Sequence, residues 1–293
     1  MSRSSPAGGR RSAPGVLRII ATPLGNIGDL SPRAREVLAS AHALAAEDTR
    51  RTRRLLELAG LPSKEILSYF APREREKARA ILARLESGQT IALVTDGGTP
   101  GVSDPGAVLV GLAAAHGIRI EPIPGPSAVT LALSVSPLAR ERFVFEGFLP
   151  SRSTARRRRL SELADEPRPI VCFEAPHRLA ASLADLRDVL GARRRVTLVR
   201  EATKLHEEIV TETVAELAAR FAGGARGEVV LVIEGGEADP DRVRLDVRML
   251  LQIAQEGGLS PAQAARTVAR ITGLPRNRLM RLVGEEVADP PTS

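Results

Sequence analysis

The chain has almost no aromatic surface. Its 293 residues include no Trp, one Tyr and six Phe. That argues against a broad platform on which successive bases of a single strand would stack. There is one cysteine, Cys172, inside an apolar run. An intrachain disulfide is therefore excluded, a reducing, cytoplasmic compartment is expected, and Cys172 reads as a small buried hydrophobe. No apolar run reaches the ~18 residues that a membrane span needs, so no membrane association is expected. The start, Met1 to Gly15, carries Arg, Ser, Gly and Pro without an apolar stretch. It reads as a disordered arm rather than a secretory signal. The four His (His42, His116, His177, His206) lack metal-ligand spacing, so no metal is expected. The Gly-rich loops lack the Gly-Lys-Ser/Thr ending of a phosphate-binding loop. A nucleophile elbow is missing, and Pro23 stands where a dinucleotide fingerprint needs its first Gly. Phosphoryl transfer and nicotinamide chemistry lose support together.

Lysine is scarce too: only Lys64, Lys77 and Lys204 accompany the arginines, yet the net charge is +7. A basic balance is compatible with a polyanionic partner. With so few aromatics it suits an RNA backbone or a structured RNA better than a naked strand. At 43% hydrophobic and 26% charged, the composition is that of a globular protein with real cores. The length suggests two domains.

What the chain does have is a set of Gly- and Pro-punctuated loops. Thr95 to Gly106 holds four Gly and two Pro in twelve residues. It follows the apolar run Thr90 to Val94 and precedes a helical pattern from Ala107. Thr22-Pro23-Leu24-Gly25-Asn26 and Pro124-Gly125-Pro126-Ser127-Ala128 also follow apolar runs, Val16 to Ile20 and Ile118 to Ile123. Loops at the carboxyl ends of strands are where open α/β sheets bind ligands. Three of them side by side on one sheet edge would form one pocket.

Residues 16 to ~140 alternate strand and helix patterns, which argues for a mostly parallel sheet covered by helices. Ser31-Pro32 reads as an N-cap followed by Pro at the first helical position. Residues 73 to 87 read as an amphipathic helix closing at Gly88. A break is expected around 136 to 151, and then five Arg fall between Arg152 and Arg159, either a solvated helix face or a phosphate-facing patch. Ile170 to Phe173, a helix near 176–190, Val196 to Val199 and Val229 to Ile233 mark a second α/β domain. About three short helices follow, with a capping box expected at Ser260 to Gln263. Leu274 to Val283 is a basic amphipathic segment, helix-turn-helix in outline. It reads as a capped bundle or as an RNA-docking element. The expected organisation is a disordered arm (1–15), an N-terminal α/β domain (16–137), a second α/β domain (138–236) and a C-terminal helical segment (243–287).

Eight segments occur in a telling order: Thr22 to Leu30, Ala46 to Arg50, Thr95 to Gly106, Pro124 to Ala128, Glu146 to Pro150, Phe173 to Arg178, Arg200 to Lys204 and Gly227 to Gly235. Together they resemble the bacterial small-subunit ribosomal RNA cytidine 2'-O-methyltransferases, the RsmI family of the tetrapyrrole-methylase superfamily, over about residues 16 to 287. The resemblance implies two α/β domains with S-adenosylmethionine in the cleft between them, a homodimer, and a cytidine in the decoding region of 16S rRNA, naked or in the small subunit, as target. Carried over by motif, the donor pocket uses Pro23, Asp96, Gly98, Thr99, Val102, Ser127 and Ala128, closed by Phe173 and Gly227-Glu228.

Methyl transfer to a ribose hydroxyl gains from alignment and from a base, or a cation that lowers the hydroxyl pKa. Lys204 with Glu201 and Asp48 is the candidate catalytic group; an ion pair holding the domains together is the alternative. Arg50, Arg178 and Arg200 are candidate phosphate contacts. His177 reads equally as a helix cap or a ligand contact. Four departures from the family pattern stand out. Gly97 replaces an Ala, Phe173 a Tyr, Pro72-Arg73-Glu74 a His-Asn-Glu, and Arg18 a common aromatic. The competing readings are a methylase of tetrapyrrole precursors and a non-catalytic RNA-binding module.

Overall fold

The computed structural model describes residues 13–70, 73–236, 240–272 and 274–285, with the backbone alone at 240–246, 284 and 285. Residues 1–12 of the expected arm, and Pro72, lie outside the described residues.

The first lobe alternates strands β1 (Val16–Ile20), β2 (Ala43–Ala46), β3 (Glu65–Ser68), β4 (Ile91–Val94) and β5 (Arg119–Ile123) with helices α1 (Pro32–Ser40), α2 (Thr49–Leu58), α3 (Glu74–Glu86), α4 (Ala107–Ala115) and α5 (Ala128–Ser134). The sheet order is β3-β2-β4-β1-β5, and every pairing is parallel. Every residue of β2 and β4 is buried, as expected of strands covered on both faces. Alternation along the strands sorts the core into two layers. Leu17, Ala45 and Leu93 join Ile81, Leu85 and Leu109 of α3 and α4. Ile20, Leu44 and Val94 join Leu38 and Leu56 of α1 and α2. Each buried Leu or Ile contributes roughly 1.5–3 kcal/mol.

Local signals agree with this packing. Ser31 Oγ accepts the Ala34 amide at 3.1 Å, with Pro32 at the first helical position. Arg18 stands opposite Glu121 in the β1–β5 register and binds it at 3.1 Å.

The second lobe holds β6 (Val144–Phe148), α6 (Ser153–Glu162), β7 (Ile170–Glu174), α7 (Leu179–Leu190), β8 (Arg195–Arg200), β9 (Glu208–Thr213), α8 (Val214–Arg220) and β10 (Val229–Ile233). The order is β6-β7-β10-β8-β9. The β6–β7 pair is parallel and the other three are antiparallel. Here the sequence reading needs two corrections. The expected break contains β6, whose pairing shifts register between Phe145 and Gly147, so a bulge hides the alternation. The edge strand β9 was not anticipated, because Glu-Ile-Val-Thr-Glu-Thr is polar enough to read as loop. Val229, Leu231 and Ile233 of the central strand face the layer containing Leu183 and Leu217. Val230 and Val232 face Val129 and Ala132 of α5. The last helix of the first lobe thus shares a core with the second sheet.

The arginine run also resolves. Arg156 is 3% exposed; its Nε donates to Asp185 at 2.8 Å, and its Nη1 to the carbonyls of Pro150 and Ser151 at 3.2 Å. Arg157 binds Asp185 and Asp188, and Arg159 binds Glu146 and Glu162. Three of the five arginines thus tie α6 to α7 and to β6, while Arg152 and Arg158 are exposed, so the solvated-face reading holds only for those two.

The C-terminal helices α9 (Pro240–Glu256), α10 (Pro261–Thr272) and α11 (Arg276–Glu285) belong to a separate compact unit. Its core includes Leu251, Ala264, Val268, Leu279 and Leu282. Gln263 Oε1 accepts the Ser260 amide at 2.9 Å, but Ser260 Oγ donates to the same oxygen at 2.8 Å, so only half of the expected capping box forms. Among the described residues no helix is long and apolar enough to cross a membrane.

Candidate active site

Strands β4, β1 and β5 are neighbours, so the loops that follow them emerge side by side. The first two are zipped by backbone: the Thr22 and Gly98 amides each donate to the other's carbonyl at 2.9 Å. Thr22 Oγ1 donates to the Thr95 carbonyl at 3.0 Å. Thr99 Oγ1 donates to the Pro126 carbonyl at 3.2 Å, which ties in the third loop. The far end of the long loop is pinned by Glu74, whose Oε1 accepts the Gly106 amide at 2.9 Å and the Tyr69 hydroxyl at 2.8 Å. Sequence reasoning gave Glu74 no such role; its signal was a carboxylate kept beside two changed neighbours.

These loops form one wall of a cavity of about 320 Å3, large enough for a small-molecule ligand. Leu24, Asp96, Gly98, Thr99, Val102, Ser127 and Ala128 line it from the first lobe, and Phe173, Glu228 and Val230 from the second. Phe148 lines it too and packs edge-on against Phe173 at 5.5 Å, as Phe145 does at 5.3 Å. Half of the chain's six phenylalanines therefore meet here.

Lys204 closes the arrangement from the β8–β9 connection. Its Nζ donates to Glu201 at 2.9 Å and to Glu228 at 3.1 Å. Its aliphatic stem lies over Gly25 of the first lobe, where a Cβ would sit 2.2 Å from Lys204 Cγ. Gly227, at φ +86°, leaves room for Glu201, whose side-chain atoms would lie 2.3 Å from a Cβ there. Glu201 and Thr203 take left-handed backbone at φ 51° and 66°, a strain kept where surrounding contacts impose it. Burial works against the Lys204 charge, but Glu201 and Glu228 outweigh it and raise the pKa. Burial likewise opposes ionisation of Glu201, yet Lys204 and the Glu228 amide hold its pKa below the usual value. Lys204 is a fixed cation at neutral pH.

Several candidate residues sit elsewhere than the sequence suggested. Pro23 and Gly227 frame the cavity without lining it: the Pro23 carbonyl packs against Gly97, and Gly227 against Glu201. Asp48 does not join Lys204. It caps α2 by accepting the Arg50 and Arg51 amides and binds the Arg50 guanidinium at 3.0 Å; Arg50 leads the causes that lower its pKa to about 2. Arg178 and Arg200, two of the candidate phosphate contacts, are engaged internally by carboxylates. Arg178 Nε donates to the buried Glu174 at 2.8 Å, and Arg200 Nε to Glu208 at 2.8 Å. Arg50 pairs with Asp48 but keeps its side chain 85% exposed. His177 is exposed and caps neither of the helical turns that meet there. Cys172 is buried, as expected.

Residues 16–218 match the family described as Tetrapyrrole (Corrin/Porphyrin) Methylases, and residues 241–282 match the RsmI C-terminal HTH domain. The ribosomal RNA small subunit methyltransferase I of Xylella fastidiosa is 45% identical over 92% of this chain and 98% of that protein. The protein of the same name from Synechocystis is 43% identical over 94% of this chain and 99% of its own length. The chain belongs to the ribosomal RNA small subunit methyltransferase I family.

Solved structures of more distant proteins share the fold of its α/β part. The uroporphyrin-III C-methyl transferase of Thermus thermophilus, complexed with S-adenyl homocysteine, superposes with a TM-score of 0.55 at 19% identity, covering 76% of this chain and 98% of that one. Cobalt precorrin-4 methyltransferase gives 0.55 at 22% identity, covering 76% and 96%. Within the methyltransferase I family pattern, Gly97 has consequences here. A Cβ at that position would meet the Pro23 carbonyl at 3.3 Å, a tight contact that an Ala would relieve by a shift of a few tenths of an ångström. Phe173 supplies the ring stack on the cavity wall and offers no hydroxyl there.

Proposed function

We propose that the cavity binds S-adenosylmethionine and that the chain methylates the 2'-oxygen of a cytidine ribose in 16S rRNA. The observation that carries this is the convergence of three backbone-built loops and the Phe173–Glu228 wall on one cavity, in a chain 45% identical to a ribosomal RNA methyltransferase across nearly its whole length. The residues fit the donor. Val102, Val129, Val230 and the phenylalanines offer an apolar slot for adenine. Asp96, Asp104 and Glu228 bring negative charge toward a ligand of net positive charge.

When bound, this donor supplies an electrophilic methyl on a sulfonium, so no covalent protein intermediate is needed. The chain's residues then orient and activate. The zipped loops hold the ligand against a fixed backbone, and alignment of this kind supplies much of a transfer's rate. Lys204, held charged by Glu201 and Glu228, serves as the cation that lowers the pKa of the ribose hydroxyl rather than as a free base. Arg50 offers a phosphate contact from the surface. The assembly is a homodimer working in the cytoplasm on the small ribosomal subunit. A tetrapyrrole substrate is the weaker reading, because the tetrapyrrole enzymes share the fold at 19–22% identity, and the C-terminal unit matches a domain named for the RNA enzymes.

The test is a methylation assay with labelled donor on assembled small subunits and on naked 16S rRNA, read by mass spectrometry of nuclease digests. Donor-dependent 2'-O-methylcytidine is expected. Label on a base, on a tetrapyrrole only, or nowhere contradicts the proposal.

A further inference from the structure

Phe148 is the most exposed of the six phenylalanines, at 53%, and it stands on the cavity wall. The strand is bent to put it there. In a regular strand Phe145 and Phe148, three residues apart, would point to opposite faces of the sheet. The register shift between Phe145 and Gly147 inserts one residue into β6, so both rings fall on the side of Phe173. Gly147 makes the bulge possible. It sits at φ +71°, where glycine is favoured, and it is buried against the first lobe, since a Cβ there would meet Ser103 Oγ at 3.0 Å. The bulge thus carries Phe148 toward the long loop after β4, while Leu149, next in the chain, stays in the second-lobe core at 2% exposure. Phe173 fixes the Phe148 ring at 5.5 Å and an interplanar angle of 62°. Among the described residues no further ring or cation is stacked on it.

We propose that Phe148 is the surface on which the base of the target nucleotide stacks while its ribose is methylated. This rests on the reading of the cavity as the donor site of an RNA ribose methyltransferase. Such a site receives two flat groups, the adenine of the donor and the base carried by the accepting ribose. Phe173, the less exposed ring, packs against both others and serves the adenine. Phe148, at the rim, is left for the second group. The cavity is concave, so a 2'-oxygen that reaches a methyl inside it belongs to a nucleotide drawn out of its helix. A base that leaves its stack is stabilised by another π-surface, and an aromatic side chain contributes roughly 1–3 kcal/mol to it. The scarcity of aromatics in the chain agrees with this: it offers no track for successive bases, but it offers a seat for one. Stacking tolerates every base, so Phe148 places the nucleotide and leaves the choice of cytosine to other groups.

The test compares the full wild-type chain with Phe148→Leu, which removes the ring, and Phe148→Tyr, which keeps it. Methyl transfer from labelled S-adenosylmethionine is followed on whichever of small subunits and naked 16S rRNA the wild type methylates. Phe148→Leu is expected to raise KM for the RNA at least about fivefold, the low end of one stacked base, with a smaller change in kcat. Phe148→Tyr is expected to stay within about twofold of the wild type, because the stack survives. S-adenosylhomocysteine, titrated by calorimetry, is expected to bind all three proteins within about twofold, since stacking of the RNA base is not part of its site. Thioether binding that weakens as much as the RNA KM places the ring in the adenine slot and overturns the proposal. An unchanged KM in Phe148→Leu overturns it too, as does a Tyr variant as impaired as the Leu variant. Should Phe148→Leu fail to fold, Phe148→Met replaces it with the same expected and contrary results. A wild type that methylates neither RNA refutes the RNA reading of the cavity and this inference with it; the other contrary results overturn this inference alone.

Discussion

The two walls of the cavity are made of different materials. The first-lobe wall is mostly backbone: loops joined by the Thr22–Gly98 amide pairs, with Thr99 tying the third loop to the other two. The second-lobe wall is side chain: a phenylalanine stack and carboxylates held by cations. A backbone wall is rigid and indifferent to most side chains but intolerant of an added Cβ. A charged wall depends on partners that come from other elements.

The substitution with the largest expected effect attacks the ion pairs of the second lobe. Arg156→Ala removes the buried cation beside Asp185, whose side chain is 8% exposed and would keep only Arg157 and Ser153; breaking such a pair costs roughly 3–5 kcal/mol. Urea denaturation measures it, and a loss under about 1 kcal/mol would show that this lobe does not depend on its buried charges. Next comes the seam between the walls. Lys204→Ala should lower turnover by roughly a hundredfold with the fold intact, the scale of one lost electrostatic contact in a reaction site. Gly25→Ala should reproduce most of that loss without touching Lys204, because its Cβ takes the space of the Lys204 stem. If both variants turn over normally, Lys204 only holds the lobes together.

A smaller effect is expected from Gly227→Ala, which adds a side chain at φ +86° and 2.3 Å from Glu201. Strain of about 1–3 kcal/mol should appear as a lowered thermal midpoint, together with a drop in the Lys204 pKa as Glu201 is pushed aside. An unchanged Lys204 titration would break the link drawn between them. The smallest effect belongs to Asp48→Asn. Asn still caps a helix, so stability near neutral pH should hardly move. The Asp48 pKa is lowered on folding, so its ionised form stabilises the fold above its unfolded value of 3.8, and this is lost as pH falls toward about 2. The variant should lack that acid-side component in a pH series of melts.

The backbone wall was legible in the sequence because its cause is local. Gly and Pro mark the turns, apolar runs mark the strands before them, and a parallel β-α order brings the loops to one edge. The same locality revealed Ser31 and the helix that closes at Gly88. The charged wall was not legible in this way. Arg178 and Arg200 looked like free cations, since their partners Glu174 and Glu208 are assigned only by the fold. Asp48 looked catalytic because an N-cap and an active-site acid share one residue type. Strand β6 was hidden by its bulge, and β9 by its polarity.

The most direct test of the donor cavity is a crystal structure of the chain grown with S-adenosylhomocysteine. The expected result is ligand density bounded by Gly98, Thr99 and Ser127 on one side and by Phe173 and Val230 on the other. Density at any other place, or an empty cavity in crystals of protein that calorimetry shows to be saturated, would contradict the account.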